Sequence, residues 1–323
     1  MQRVGILVTA AALGLGPLVA QAETWDMPVA YPASNYHTEN AVAFAEEVTE
    51  KTGGALEIVV HPGGSLFKGD EIKRAVQTGQ VPIGERLISA LGNENPLFEI
   101  DALPFLATSF EDSRKLYEAS KPALEQLLDG QGLMLLYAVP WPPQGLYTKQ
   151  PLEQASDMQG VKFRAYNAAT ARVAELMGAV PTQIEEAELT QAFATGVAES
   201  MISSGATGYD RKLWEHTDYW YDAQAWLPKN MVIVNADAFA GLPEDQQQAL
   251  VAAAQTAEER GWAKAQELAD WYKEQLAEHG MQIQAPGEQL KADFQKIGEQ
   301  MTAEWLERAG PTGQEVVDAY KAM

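Results

Sequence analysis

The 323-residue chain contains no cysteine. Disulfides, thiol nucleophiles and cysteine-ligated zinc are therefore excluded together. Basic residues are scarce: 23 Lys and Arg stand against 45 Asp and Glu, a formal net charge of −22. Phosphate backbones need a basic face, so this charge argues against nucleic acid as a partner and disfavours an anionic lipid surface. Beyond the N-terminal segment no apolar run reaches the ~18 residues expected of a membrane-spanning helix. The histidines, His37, His61, His216 and His279, are far apart in sequence. There is no H-E-x-x-H, G-x-x-x-x-G-K-[ST], G-x-S-x-G or acidic calcium loop. Nothing here marks a metal, a cofactor or a catalytic centre, so the expectation is a non-enzyme without cofactor. Paired carboxylates such as Glu185-Glu186 read as a solvated acidic face.

What is present begins with residues 1–22. Arg3 supplies a positive start, an apolar run extends from Val4 to Val19, and Ala20-Gln21-Ala22 has the small-x-small pattern of a cleavage site. The expectation is a signal peptide cut after Ala22 and a periplasmic mature protein. From there strands and helices alternate. "TWDMPVAY" reads as a strand, Thr38 to Lys51 as a helix with Val42, Phe44, Ala45 and Val48 on its apolar face, and "ALEIVVH" as the next strand. A helix over "KGDEIKRAVQTG", the strand "VPIGERLIS", a helix from Ser109 to Leu128 and the strand "GLMLLYAV" follow. This pattern predicts an α/β fold with mainly parallel pairing, and the length suits two domains.

Pro140, Pro142 and Pro143 then make "PWPPQG" a rigid crossing that neither a helix nor a central strand survives. A second α/β unit begins with the strand "VKFRAY", a helix that Asn167 can cap, and the strands "AVPTQI" and "VAESMIS". "MVIVN" is a returning strand. Glu244 to His279 is one long helix suited to bracing two domains, and "MQIQAP" and amphipathic helices complete the chain.

Arg164 stands between Phe163 and Tyr166, just ahead of the helix start at Asn167. A guanidinium there can offer two parallel N–H bonds to a carboxylate, and the helix N-terminus favours anions too. An internal ion pair with one of the many carboxylates is the competing reading. Tyr209, Trp214, Tyr219, Trp220, Tyr221 and Trp226 fall close together, and Trp141 sits in the proline segment. They read either as packing or as an apolar cleft wall. Lys68 and Glu85 lie at loop or strand ends, where open α/β domains gather ligands.

Four blocks carry a family resemblance: "EEVTEKTGGALEIVVHPGGSLFKGDEIKRAVQTGQVPIG", "NPLFEIDALPFL", "GVKFRAYNAATARVAELMGAVPTQ" and "WLPKNMVIVN" with "LPEDQQQAL". Together they resemble the dicarboxylate-binding-protein family, the solute-binding proteins of tripartite ATP-independent periplasmic (TRAP) transporters. The resemblance implies a two-domain clamshell with discontinuous domains, expected at residues 23–141 plus 230–269 and 142–229 plus 270–323, with a long helix spanning both. It implies ligand capture between the domains, delivery to membrane permease subunits, and a monomer.

The family's G-x-K-x-R block falls on Gly160 to Arg164, so the resemblance makes Arg164 the carboxylate anchor and Asn167 its neighbour. Where many relatives carry an Asn, this chain has Ser203-Ser204, so Ser203 is a substitute contact. Trp141 and Gln144 are expected to shape the pocket, with Trp214 and Tyr221 as further candidates. Glu85, Lys68 and Asn35 are expected to sense closure from the first domain. The expected ligand is an aromatic or other monocarboxylate. A sugar acid or sulfonate is the alternative, and a secreted enzyme or ligand sensor the competing function.

Overall fold

The computed structural model describes residues 22–323. The expected signal peptide lies, but for Ala22, outside the described residues.

The first lobe begins with β1 (Glu23–Pro28), α1 (Tyr36–Lys51), β2 (Leu56–His61), α2 (Gly69–Gln77) and β3 (Ile83–Leu87). It continues through two short 3-10 turns into α3 (Phe110–Asp129) and β4 (Leu133–Pro140). Asn35 starts α1 by accepting the His37 backbone N–H, and Gly53 and Gly54, both at positive φ, end it. Phe44, Ala45 and Val48 are buried, whereas Val42 is exposed, contrary to the expected apolar face.

The second lobe holds β5 (Gln144–Thr148), β6 (Lys162–Ala165), α4 (Ala168–Leu176), β7 (Val180–Gln183) and α5 (Leu189–Ala194). It is completed by β8 (Ser200–Ser204), α6 (Gly205–Asp210) and β9 (Tyr219–Tyr221). The chain then recrosses into β10 (Lys229–Asn235), α7 (Ala236–Gly241), α8 (Glu244–Glu278), β11 (Gln282–Gln284) and α9 (Glu288–Lys321).

One lobe carries the parallel pair β1-β2 beside the sheet β3-β10-β4; the other carries the six-stranded sheet β11-β9-β5-β8-β6-β7. The expectation of mainly parallel pairing is corrected. β10 runs antiparallel to β3 and β4, and β5 runs antiparallel to β8 and β9. The reason is the crossings. A strand arriving from the other lobe enters its sheet from the cleft side, where the parallel strands end, so it must run against them. The proline crossing is shorter than expected at both ends: Pro140 closes β4 opposite Lys229, and Gln144 and Gly145 already pair with Ser204 and Ser203 in β5.

The long helix α8 packs its first half on α1 and β4 and its last turns on α6 and β11, so one rigid rod touches both lobes. Gly261 lets it approach: a Cβ there would lie 2.4 Å from Val139 Cγ2. Asn40 reinforces the contact, donating to the Ala257 carbonyl at 3.0 Å and accepting from Arg260 Nε at 2.8 Å. The final helix α9 breaks at Gly310 and returns to the first lobe. There Trp305, Val316 and Val317 pack with Ile100 and Leu116, and the Trp305 indole donates to the Pro96 carbonyl at 2.6 Å.

Trp305 is fully buried in this satellite core. Replacing it with alanine is expected to lower stability by about 3–5 kcal/mol in urea unfolding, the usual cost of emptying an aromatic site. A loss below ~1 kcal/mol would show that the α3–α9 packing contributes little.

Candidate functional site

Two crossing segments lie side by side between the lobes. The Trp141 N–H donates to the Pro228 carbonyl at 2.8 Å, Gln144 N–H to Trp226 at 3.0 Å, and Ala225 N–H to Gln144 at 3.0 Å. This short ladder floors a cavity of about 500 Å3, counting the part open to solvent. Tyr31 and Arg86 line it from the first lobe; Arg164, Tyr166, Glu185 and Ser203 line it from the second, with Trp141 and Gln144 from the crossing. The C-terminal ends of the parallel strands β6 and β8 point here, which is where open α/β sheets bind ligands.

Arg164 sits on β6, 3 % exposed. Its Nε donates to the Ile184 carbonyl at 3.0 Å, which fixes the plane of the guanidinium, and its Cζ lies 5.1 Å from the Tyr166 ring. Burial lowers its pKa from the usual value. Among the described residues it makes no ion pair, so the internal salt bridge considered for it is not formed.

The other guanidiniums near the cavity are engaged. Arg86 pairs with Glu185, at 3.3 Å from Nη1 to Oε2 and 3.4 Å from Nη2 to Oε1. Arg211 holds Glu186 through both oxygens, with Nε to Oε1 at 2.6 Å. The reading of Glu185-Glu186 as a solvated face is thereby corrected. They follow a strand end at the cleft and are drawn inward by two arginines that are distant in sequence.

The aromatic lining is held by hydrogen bonds. The Tyr166 hydroxyl donates to Gln144 Oε1 at 3.2 Å and accepts from Trp226 Nε1 at 3.1 Å. The Trp141 indole donates to Asn230 Oδ1 at 2.9 Å, with its ring edge-on to Tyr31 at 4.9 Å. Asn230 in turn donates to Glu85 Oε1 at 3.1 Å. Glu85 therefore stands behind the lining rather than in it, and burial pushes its pKa up to about 8.

Two expected residues join the lobes without lining the cavity. Asn35 donates to Asp210 Oδ2 at 2.7 Å, and burial raises that carboxyl to about 6. Asn167 caps α4 by accepting the Thr170 N–H at 2.8 Å and donates to Ser89 Oγ at 2.9 Å across the cleft.

Three expected residues lie elsewhere. Lys68 is exposed ahead of α2. Trp214 stacks on His279 with ring centroids 4.1 Å apart. The Tyr221 hydroxyl accepts the Leu152 N–H at 2.6 Å. The aromatic cluster after Tyr209 thus packs the second lobe; of it Trp226 reaches the site, with its carbonyl in the floor ladder and its indole behind Tyr166.

Tyr31, Arg86 and Thr207 also line the cavity, and the sequence does not mark them as site residues. The one available signal for Arg86 was its position beside Glu85 at the end of a strand reading toward the cleft.

A cleft between two α/β lobes, floored by crossing segments and lined by an unpaired buried guanidinium, defines a two-lobed receptor of the periplasmic-binding type. The family described as "Bacterial extracellular solute-binding protein, family 7" matches residues 29–308, and the chain belongs to it. The chain is 53% identical to a marine metagenome TRAP solute-binding protein crystallised with co-purified pyroglutamate, which it matches with a TM-score of 0.93 over 94% of this chain and 100% of that one. It is 51% identical to DctP6, a Bordetella pertussis extracytoplasmic solute receptor binding pyroglutamic acid, with a TM-score of 0.92 over 93% and 100% of the two chains. A curated relative is the ectoine/5-hydroxyectoine-binding periplasmic protein UehA of Ruegeria pomeroyi, 26% identical over 98% of this chain and 95% of that one. The protein is a solute receptor of the TRAP type. Among the described residues no helix is long and apolar enough to cross a membrane.

The buried Glu85 generates a pH test. Its folded pKa of about 8 exceeds the ordinary 4.5, so its cost to the fold is absent below about pH 4.5 and grows as pH rises toward 8. Glu85→Gln is uncharged throughout and is expected to gain stability on the parent by up to ~1.4 kcal/mol per pH unit across that window, measured by urea unfolding. A difference that stays constant with pH would mean that the carboxyl ionises freely in the fold.

Proposed function

We propose that the protein captures pyroglutamate, or a closely similar cyclic monocarboxylate, for delivery to membrane permease subunits. The observation that carries this reading is the charge of the cleft. Arg86 and Arg211 are neutralised by Glu185 and Glu186, while Arg164 has no carboxylate partner among the described residues. Burial of the cation favours one further anion beside it. The uncompensated charge is that of one guanidinium, which suits a monocarboxylate better than a dicarboxylate.

The likeness to two pyroglutamate-binding receptors at about half identity supports the ligand class. Of the ligands first expected, the aromatic acid loses support because Trp214 and Tyr221 lie outside the cavity, and a compact ring acid gains it. Trp141, Gln144, Tyr166 and Ser203 shape the pocket in this reading, while Asn35, Glu85 and Asn167 act from behind it or across the lobe contact. The lobes divide at 23–141 plus 230–269 and 142–229 plus 270–323, with α9 shared between them. The mature protein works as a monomer in the periplasm after cleavage at Ala22, and it binds its ligand without transforming it.

The test is titration calorimetry on protein unfolded and refolded to strip retained ligand. Pyroglutamate is expected to bind the parent. Arg164→Ala is expected to lose about 2–5 kcal/mol, at least roughly 30-fold in affinity. Arg164→Lys should recover only part of it, because a point charge cannot reproduce the fork. Pyroglutamate binding that survives Arg164→Ala undiminished would sink the anchor; no pyroglutamate binding by the parent would sink the ligand.

A further inference from the structure

Arg86 and Glu185 face one another from opposite lobes, and both line the cavity. Their fork uses only part of what each offers. A guanidinium carries five N–H donors and a carboxylate accepts about four bonds. The outer side of the pair is closed by the start of α2, where a Cβ on Gly69 would fall 2.6 Å from Arg86 Nη1 and 2.8 Å from Glu185 Oε2. The Gly69 backbone thus sits close against one side of the pair, while both side chains also line the cavity and have bonding capacity left to offer a ligand there. Because its charges cancel, the pair adds no net attraction for a second anion. It contributes instead an edge on which N–H donors stand beside carboxylate acceptors.

A neutral group complementary to such an edge carries one acceptor beside one donor. A cis amide does so: a small lactam ring forces its N–H and C=O onto the same side. We propose that Arg86 and Glu185 jointly read the cis-amide edge of the bound acid, Glu185 accepting the lactam N–H while Arg86 donates to the lactam carbonyl. This rests on the reading of Arg164 as the carboxylate anchor and of pyroglutamate as the ligand. The two contacts have separate tasks: Arg164 selects the charge, and the Arg86–Glu185 pair selects the ring. A γ-lactone analogue, with ring oxygen in place of N–H, sets a lone pair against the Glu185 carboxylate and leaves that acceptor unmatched. Sites built around a hydrogen bond reject ligands that lack it far more strongly than apolar pockets reject a missing methylene.

The experiment measures pyroglutamate and its γ-lactone analogue by calorimetry on refolded parent and on Glu185→Gln. The parent is expected to prefer the lactam by at least a hundredfold, and Glu185→Gln to shrink that preference at least tenfold. An equal loss of both ligands in Glu185→Gln would overturn the proposal and leave the pair as a contact between lobes only. A parent that binds lactam and lactone alike would overturn it with no variant needed, so the proposal stays testable if Glu185→Gln fails to fold. That outcome would leave the assignment of pyroglutamate standing. A parent that binds neither compound would bring down the ligand assignment, and this inference with it.

Discussion

The structure turns on one buried cation that, unlike Lys73, Arg86 and Lys229, makes no ion pair among the described residues. Arg164 is withdrawn from solvent, held in plane by the Ile184 carbonyl and left without a carboxylate, in a chain whose acidic residues outnumber its basic ones almost two to one. An isolated buried charge is costly unless matched. Glu186 and Glu185 line the same cavity and their charge is felt at Arg164, yet neither forms an ion pair with it. Glu186 is committed to Arg211 through both oxygens and Glu185 to Arg86. The cleft is therefore arranged so that nearby negative charge is already engaged by other arginines, which is the basis for proposing Arg164 as the anion's anchor.

The same logic accounts for the architecture around the site. The cavity floor is made of crossing segments, and their ladder continues into β5 and β10, the strands that run antiparallel in their sheets. The floor is thus continuous with the centre of each lobe. The walls meet through few polar contacts: Arg86 with Glu185, Asn35 with Asp210, and Asn167 with Ser89. A typical hydrogen bond contributes about 0.5–1.5 kcal/mol net. Contacts of that size leave the approach of the lobes sensitive to what lies between them, while α8, touching both lobes, limits how they move.

Much of this was legible in the sequence, and the part that was not has a common cause. Strand and helix order, the long helix and the position of Arg164 ahead of a capped helix follow from short-range pattern. So does the place of Trp141, because proline fixes where the chain crosses; the expectation for Gln144 comes only from the family resemblance. Partnerships between lobes do not. Nothing local distinguishes Glu185-Glu186 from any acidic surface pair; only the approach of Arg86 and Arg211 does. Trp214 and Tyr221 mislead for the converse reason, since an aromatic cluster looks the same whether it lines a cleft or fills a lobe. Tyr221 is taken up by the Leu152 backbone and Trp214 by His279. The antiparallel strands were missed because pairing direction depends on where a crossing enters a sheet, which hydrophobic pattern does not record.

An anion receptor with a net charge of −22 raises an apparent conflict. It dissolves on considering range. Charges on the surface are screened over about 8 Å at physiological ionic strength, so their repulsion of an approaching monoanion is weak beyond the first layer of water and counter-ions. Inside the cleft the balance reverses. Screening ions are excluded, the local dielectric is lower, and the group with unmet charge is Arg164. Overall charge keeps the protein soluble and apart from its neighbours, and it acts at long range where it is attenuated. Recognition of a small ligand is decided at short range, where the pairing of individual buried groups outweighs an acidic surface. The sign of the whole molecule is therefore a poor guide to the sign of its ligand, and the pairing of each buried charge is a good one.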